Sequence, residues 1–281
     1  MDGLREGGMD ESCKTKYPIM LVHGTGFRDL ALPLYWGRIP RALAERGAQI
    51  HYGMQDGWGS TASNAARIAE RIREVLAQTG AEKINLIGHS KGGLEIRMAA
   101  SALGMGDKIA SVTTLATPHR GSRTMDRLLK APQKLFNLAA FAVNNWIRAF
   151  GDREPDFVTV CREFSTGHMA RFNLENPDHP AVYYQSYACL MRGPASDANL
   201  AAANFVISLV EGENDGLVSV ESARWGENFT VLRAAGRRGI SHLDEVDFRR
   251  LPLSRKKTPG RVSDIVEAYI EIVSGLKQKG F

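Results

Sequence analysis

One stretch of this chain constrains the rest. Lys83-Ile-Asn-Leu-Ile-Gly88 reads as a buried strand and residues 94–103 as a helix, and little more than Gly88-His89-Ser90-Lys91-Gly92 joins them. A turn that sharp drives neighbouring side chains into collision unless they are small, and the glycines two residues either side of Ser90 relieve this. Ser90 is then projected on strained backbone angles, with the positive end of a helix aimed at whatever reacts there. In a chain with 28 glycines the Gly-x-Ser-x-Gly pattern by itself says little. Its place between a strand and a helix is what marks it as a nucleophile elbow.

The same alternation recurs along the chain. Tyr17-Pro-Ile-Met-Leu-Val22 is a buried strand entering a tight turn at Gly24 and Gly26, and residues 49–53 form a weaker strand. Ser63 is placed to cap a helix with Ile68, Ile72, Val75 and Leu76 on its buried face, ending at Gly80. Residues 111–115, 183–187 and 205–210 read as further buried strands, and residues 229–232 are strand-like. Val262, Ile265, Val266, Tyr269 and Val273 line a closing helix. The expected class is α/β, a mostly parallel central sheet flanked by helices, in one domain over residues 1–281.

One region breaks the pattern. Residues 120–175 carry only helical signals, and Leu135, Phe136, Leu138, Phe141, Val143, Trp146, Ile147 and Phe150 crowd into sixteen positions. Such a stripe is ordinarily a core helix. The sharper expectation is a helical cap or lid inserted at about residues 121–175, with Phe136, Phe141 and Trp146 lining a hydrophobic site.

Composition narrows the class further. With 43% hydrophobic and 24% charged residues in 281, the chain is neither disordered nor a disulfide-dense miniprotein. Residues 1–16 lack the apolar core of a secretory signal, and the longest nearly apolar run, residues 136–143, is far short of a membrane span. The expectation is a soluble cytoplasmic protein. Cys13, Cys161 and Cys189 are widely spaced with no CxxC pair, which suggests free thiols, leaves one disulfide open, and sets aside a cysteine zinc cluster. Of the net charge of +5, residues 233–261 hold an excess of +6, with nine Lys or Arg against three Asp or Glu. No aromatic platforms are interleaved there, so a solvated surface is expected and no nucleic-acid partner.

A serine nucleophile needs a base, and the base needs an orienting carboxylate. After an elbow of this kind the acid and then the histidine follow the serine along the chain. Asp215 lies in Glu211-Gly-Glu-Asn-Asp-Gly216, directly after residues 205–210, and His242 follows in Gly239-Ile-Ser-His-Leu-Asp244. Each alone is an ordinary loop residue; the ordered set of three is not. For the oxyanion, one donor is expected at the backbone N–H of Lys91 and the other at Thr25 in His23-Gly-Thr-Gly-Phe27. His23 is expected to be structural, His89 to point away from the site, and His119 to stand behind it.

Five blocks carry a resemblance. Residues 17–27 (YPIMLVHGTGF), 84–93 (INLIGHSKGG), 116–122 (ATPHRGS), 214–218 (NDGLV) and 242–246 (HLDEV) occur in the same order in bacterial true lipases. The chain thus resembles the triacylglycerol lipase branch of the α/β-hydrolase fold, of the Pseudomonas and Proteus type. The resemblance implies a carboxylic ester hydrolase with Ser90 as nucleophile, Asp215 as acid, His242 as base, and Thr25 and Lys91 as oxyanion donors. It puts a mobile lid near residues 131–150, and makes an ester lipid or small acyl ester the substrate, with transient contact at a lipid interface. No cofactor is implied. Many relatives hold a structural calcium near the histidine; Asp244 matches one of its carboxylates, and Asp197 is a loose candidate for the other. The oxyanion loop is often one residue longer in the family. A short-chain esterase or thioesterase would use the same residues, acyl transfer needs only an alcohol that outcompetes water, and an idle lipid- or partner-binding module is the non-enzyme alternative.

Overall fold

The computed structural model describes residues 10–25, 35–57, 59–149 and 157–281. In chain order it runs β1 (Ile19–Val22), α1 (Ile39–Ala44), β2 (Ile50–Tyr52), α2 (Thr61–Thr79), β3 (Ile84–His89), α3 (Lys91–Ala100) and β4 (Ile109–Leu115). Four helices follow without a strand among the described residues: α4 (Arg123–Leu129), α5 (Gln133–Ala149), α6 (Phe157–Glu163) and α7 (Thr166–Glu175). Then come β5 (Tyr183–Cys189), α8 (Ala201–Val210), α9 (Val220–Ala223), β6 (Phe229–Leu232) and α10 (Ile265–Gln278). The six strands form one sheet in the order β2-β1-β3-β4-β5-β6, every pair parallel.

A parallel sheet is covered on both faces, which is why its central strands are apolar runs rather than alternating ones. In β1, Ile19 and Leu21 face one layer, with Trp36, Ile39 and Leu43 from α1 and its approach and Tyr269, Ile272 and Val273 from α10. Met20 and Val22 face the other, with Ile68, Ile72 and Val75 of α2 and Ile96 of α3. Each fully buried Ile or Leu of this kind contributes about 1.5–3 kcal/mol. The layout puts the carboxyl ends of β1, β3 and β4 side by side, where ligands bind in open parallel sheets.

Three local expectations need correction. Ser60, not Ser63, caps α2: its Oγ accepts from Ser63 N at 3.2 Å, and Gly80 closes the helix at φ +69°. Residues 205–210 are not a strand but the second half of α8, which buries only Asn204 and Ile207. An apolar run of that length has no period of its own to separate strand from buried helix. Three alanines start this one, and Phe205, Val206 and Leu209 are left facing outward. Val262 precedes the closing helix and pairs with residues 233–235, while Asp264 caps α10 through Val266 N at 3.0 Å.

All three cysteines are buried and none is in a disulfide. No helix among the described residues is long and apolar enough to cross a membrane.

Candidate active site

Ser90 sits at the junction of β3 and α3 with φ +54° and ψ −128°, a conformation that L-residues adopt only under constraint. Its N–H donates to Leu115 O at 2.9 Å, and its carbonyl accepts from Thr117 Oγ1 at 2.8 Å and Gly93 N at 3.1 Å. The glycines are steric necessities. A Cβ on Gly88 would stand 2.7 Å from Gly93 N, and one on Gly92 would strike the carbonyl oxygens of Val22 and His23. Gly24 has the same role from the β1 side, since a Cβ there would lie 2.8 Å from Ser90 Cβ. Lys91 opens α3, where first-turn amides have no intrahelical acceptor. Thr25 follows Gly24 on the exposed rim.

Asp215 and His242 come together from two loops. His242 Nδ1 lies 2.8 Å from Asp215 Oδ2, and His242 N donates to Asp215 O at 2.9 Å. The other carboxylate oxygen accepts from Leu217 N at 2.8 Å and Val218 N at 2.7 Å, so Asp215 cannot rotate without losing three bonds. With Nδ1 committed to the carboxylate, Nε2 of a neutral imidazole is left to accept a proton. Both side chains are buried.

Behind them lies a group the sequence reasoning missed. His89 Nε2 is 3.0 Å from Glu245 Oε2, His89 Nδ1 is 2.7 Å from Tyr35 Oη, and Tyr35 Oη accepts from Gly24 N at 2.7 Å. Burial, with the nearby His242 and His23, holds His89 well below the usual imidazole range. Burial first, and then Asp215, pushes Glu245 well above the usual carboxyl range. Both shifts favour the uncharged forms of the pair. The available signal was spacing: Glu245 is three residues after His242, on the short helical turn Asp244–Val246.

Lys91 is buried together with Glu95. Lys91 Nζ bonds Gly59 O and lies 3.6 Å from Glu95 Oε1, which also accepts from Asn64 Nδ2 at 2.7 Å. Burial pushes the Glu95 carboxyl up to about 7. His23 and His119 are held in place. His23 Nδ1 is 2.6 Å from Gly24 O, and His119 lies between Thr114 Oγ1 at 2.9 Å and Arg97 Nη1 at 3.2 Å, stacked on Trp225.

Of the residues expected to line the insert, Phe136 is buried with Cys161 in a small core shared with Met125, Leu128 and Val160. Phe141 is 66% exposed. The Trp146 side chain lies outside the described residues.

Two groupings invite a metal. His89, His242 and Glu245 bring ligand atoms within 4.8 Å of one another, but the bonds to Tyr35 and Asp215 engage both imidazoles. Asp244, expected as a calcium ligand, does approach Asp197, and Ser241 Oγ stands 2.8 Å from Asp197 Oδ2 and 2.9 Å from Asp244 Oδ2. What fills the space about them is guanidinium: Arg238 forks onto Asp244 at 3.0 Å twice, and Arg249 Nη2 is 2.6 Å from Asp197 Oδ2. Calcium takes six to eight oxygen ligands, and this set of N–H donors does not fit it.

Comparison with known proteins agrees with the geometry. The family model described as the alpha/beta hydrolase fold matches residues 17–151. The chain is 41% identical over 262 residues to a triacylglycerol lipase of Vibrio cholerae, covering 83% of this chain and 80% of that one. It is 29% identical over 305 residues to a triacylglycerol lipase of Pseudomonas fragi, covering 97% and 100%. Among solved structures, a metagenomic carboxyl esterase superposes with a TM-score of 0.66 at 19% identity, covering 94% of this chain and 76% of that one. A mature Bacillus licheniformis lipase gives 0.61 at 19%, covering 88% and 91%. At such identities the structural likeness speaks for the fold alone.

Proposed function

This chain belongs to the triacylglycerol lipase family of the α/β-hydrolase fold and is a serine carboxylic ester hydrolase; from that premise we propose that its chemistry runs through Ser90, His242 and Asp215. His242 Nε2 takes the Ser90 hydroxyl proton as Oγ attacks the ester carbonyl. Asp215 holds the imidazole's tautomer and orientation. The backbone N–H groups of Thr25 and Lys91 stabilise the oxyanion, at the end of β1 and at the first turn of α3. Collapse of the tetrahedral intermediate passes the proton from His242 to the leaving alcohol and leaves an acyl group on Ser90. Water, deprotonated by the same histidine, then releases the acid and restores the serine. The observation that carries this reading is the 2.8 Å pairing of His242 with Asp215, with the His242 ring 4.5 Å from that of His89, the residue before the strained elbow serine.

The substrate we propose is a fatty-acyl ester met at a lipid surface, with residues 121–175 as a cap on the one hydrolase domain. In support, α5 exposes Leu135, Leu138 and Phe141, and α8, packed against α4, exposes Phe205, Val206 and Leu209. Outward apolar side chains on neighbouring helices are costly in water and favourable at a lipid interface. Three buried cysteines outside any disulfide suit a reducing, cytoplasmic setting. The deciding experiment is hydrolysis of chromogenic esters of increasing acyl length by wild type and Ser90→Ala. Activity on emulsified long chains that vanishes in a folded Ser90→Ala supports the whole reading. Activity confined to soluble short chains makes the protein an esterase with a fixed cap. Turnover surviving in Ser90→Ala removes the serine mechanism.

A further inference from the structure

We infer that Arg249, seconded by Arg238, stands where a divalent cation would bridge the buried carboxylates of Asp197 and Asp244, so that the loop carrying His242 is braced by an internal ion network and needs no calcium.

The carboxylates belong to distant parts of the chain. Asp197 closes the turn Pro194–Ser196 before α8, and Asp244 lies two residues after His242. Both are buried, at 1% and 4% exposure. Two negative groups brought together out of water repel each other and lose their hydration, so the fold must supply positive charge or a metal. Every oxygen already has a partner from the chain. Asp197 Oδ1 accepts from Asn199 N at 3.1 Å, and Oδ2 meets Ser241 Oγ at 2.8 Å and Arg249 Nη2 at 2.6 Å. Asp244 Oδ1 accepts from Arg238 Nη2 at 3.0 Å, with Arg249 Nε 3.8 Å away. Asp244 Oδ2 is reached by Arg238 Nη1 at 3.0 Å, Ser241 N at 3.0 Å and Ser241 Oγ at 2.9 Å. Ser241 Oγ has one proton to share between the two carboxylates and accepts from Asp244 N at 3.3 Å. Two guanidinium charges balance two carboxylates. A divalent cation added to this group would have to expel Arg249 and would leave the site with excess positive charge.

The backbone around Arg249 fits the same assignment. Asp247 and Arg250, on either side of it, both have φ +56° although neither is glycine. Such strain persists where surrounding contacts over-determine the conformation. Here Asp247 is gripped by Arg38 through Nε at 2.8 Å and Nη2 at 2.7 Å, and Arg249 is gripped by Asp197. The turn that delivers the guanidinium is thereby fixed at both ends. Arg238, Asp244, Asp247 and Arg249 all come from the basic segment 233–261, whose charge is in part this internal brace rather than a solvated surface.

The inference concerns folding, so its test does not depend on ester turnover. Thermal midpoints of wild type are measured after stripping with a chelator and again in about 5 mM calcium chloride, with calorimetric titration of calcium into the stripped protein. The expected result is one midpoint within about 1 °C in both buffers and no calcium uptake, while Arg249→Ala in chelator melts about 5 °C lower. Should Arg249→Ala not fold, Arg249→Lys, which keeps the charge but not the fork, is expected to melt between wild type and unfolded levels of stability. Wild type that takes up calcium and melts several degrees higher with it would overturn the inference. So would an Arg249→Ala that melts with wild type in chelator.

Discussion

Glu245 Oε2 lies 3.0 Å from His89 Nε2 but 4.0 Å from His242 Nδ1, whereas Asp215 Oδ2 lies 2.8 Å from that same His242 nitrogen. Two carboxyl groups therefore stand behind one imidazole with different work. Asp215 is aligned with His242 by backbone donors, while Glu245 is buried, its carboxyl pushed up by that burial, and turned toward the chain His89–Tyr35–Gly24 that supports the loop beside Ser90.

That division predicts unequal losses. Asp215→Asn presents an amide N–H or a weaker acceptor to Nδ1 and should lower kcat on the order of 10⁴-fold with the fold intact. Glu245→Gln keeps shape and a donor for His89, so kcat should fall by no more than about tenfold. Steady-state kinetics on one soluble ester decides it, and equal losses in the two variants would contradict the roles assigned.

The elbow makes a steric prediction with its own control. Gly92→Ala puts a methyl group against the carbonyl oxygens of Val22, the last residue of β1, and His23, which follows it, and this backbone cannot move aside without disturbing the sheet. The variant should lose several degrees of thermal midpoint or fail to accumulate as folded protein. Gly275, inside α10, has nothing within 4 Å of such a methyl. Gly275→Ala should instead be more stable by about 0.5–1 kcal/mol, as for a helix glycine with open space at its Cβ.

What the sequence disclosed follows from how local each feature is. The elbow could be read because strand, glycines and helix lie within twenty residues, and Asp215 and His242 because chain order ranks loop candidates. Residues 205–210 misled because an apolar hexamer looks alike in a strand and in a helix whose outer face is also apolar. Tyr35 and Arg249 gave no local signal, and the spacing of Glu245 from His242 and the loose match at Asp197 did not disclose what those two residues pair with. Their main partners are 44 to 156 residues distant, as with Ser241 on Asp197 across 44 positions and Glu245 on His89 across 156. Charge counting even pointed the other way, since it read the arginines of the basic segment as solvated.

The outward apolar faces predict a split between substrates. Leu138→Ser with Phe141→Ser on α5, or Phe205→Ser with Leu209→Ser on α8, removes side chains that are 54–68% exposed and hold little of the core. Hydrolysis of emulsified long-chain ester should drop about tenfold, as expected for about 1.4 kcal/mol of lost interfacial attraction, with soluble short-chain ester hydrolysed at near wild-type rate. Parallel losses on both substrates would assign these faces to folding rather than to a lipid surface.

Glu95 predicts how stability responds to pH. Its carboxyl, ordinarily near 4.5, is pushed up to about 7 by burial despite Lys91 at 3.6 Å and the amide of Asn64. The folded chain therefore holds this proton more tightly than the unfolded chain does. The stability it confers is fully present below about 4.5, declines as pH rises, and is gone above about 7. Glu95→Gln preserves the volume and the acceptor for Asn64 while removing the titration. Relative to wild type, the variant should gain on the order of 2–3 kcal/mol between pH 5 and pH 8, about 1.4 for each pH unit between 5 and 7 and little beyond. The quantity to follow is the difference in thermal midpoint between the two proteins across that range, which cancels every other titrating group. A difference that widens in favour of Glu95→Gln toward pH 8 locates the proton on Glu95. A flat difference means the carboxyl is ionised throughout, held by Lys91.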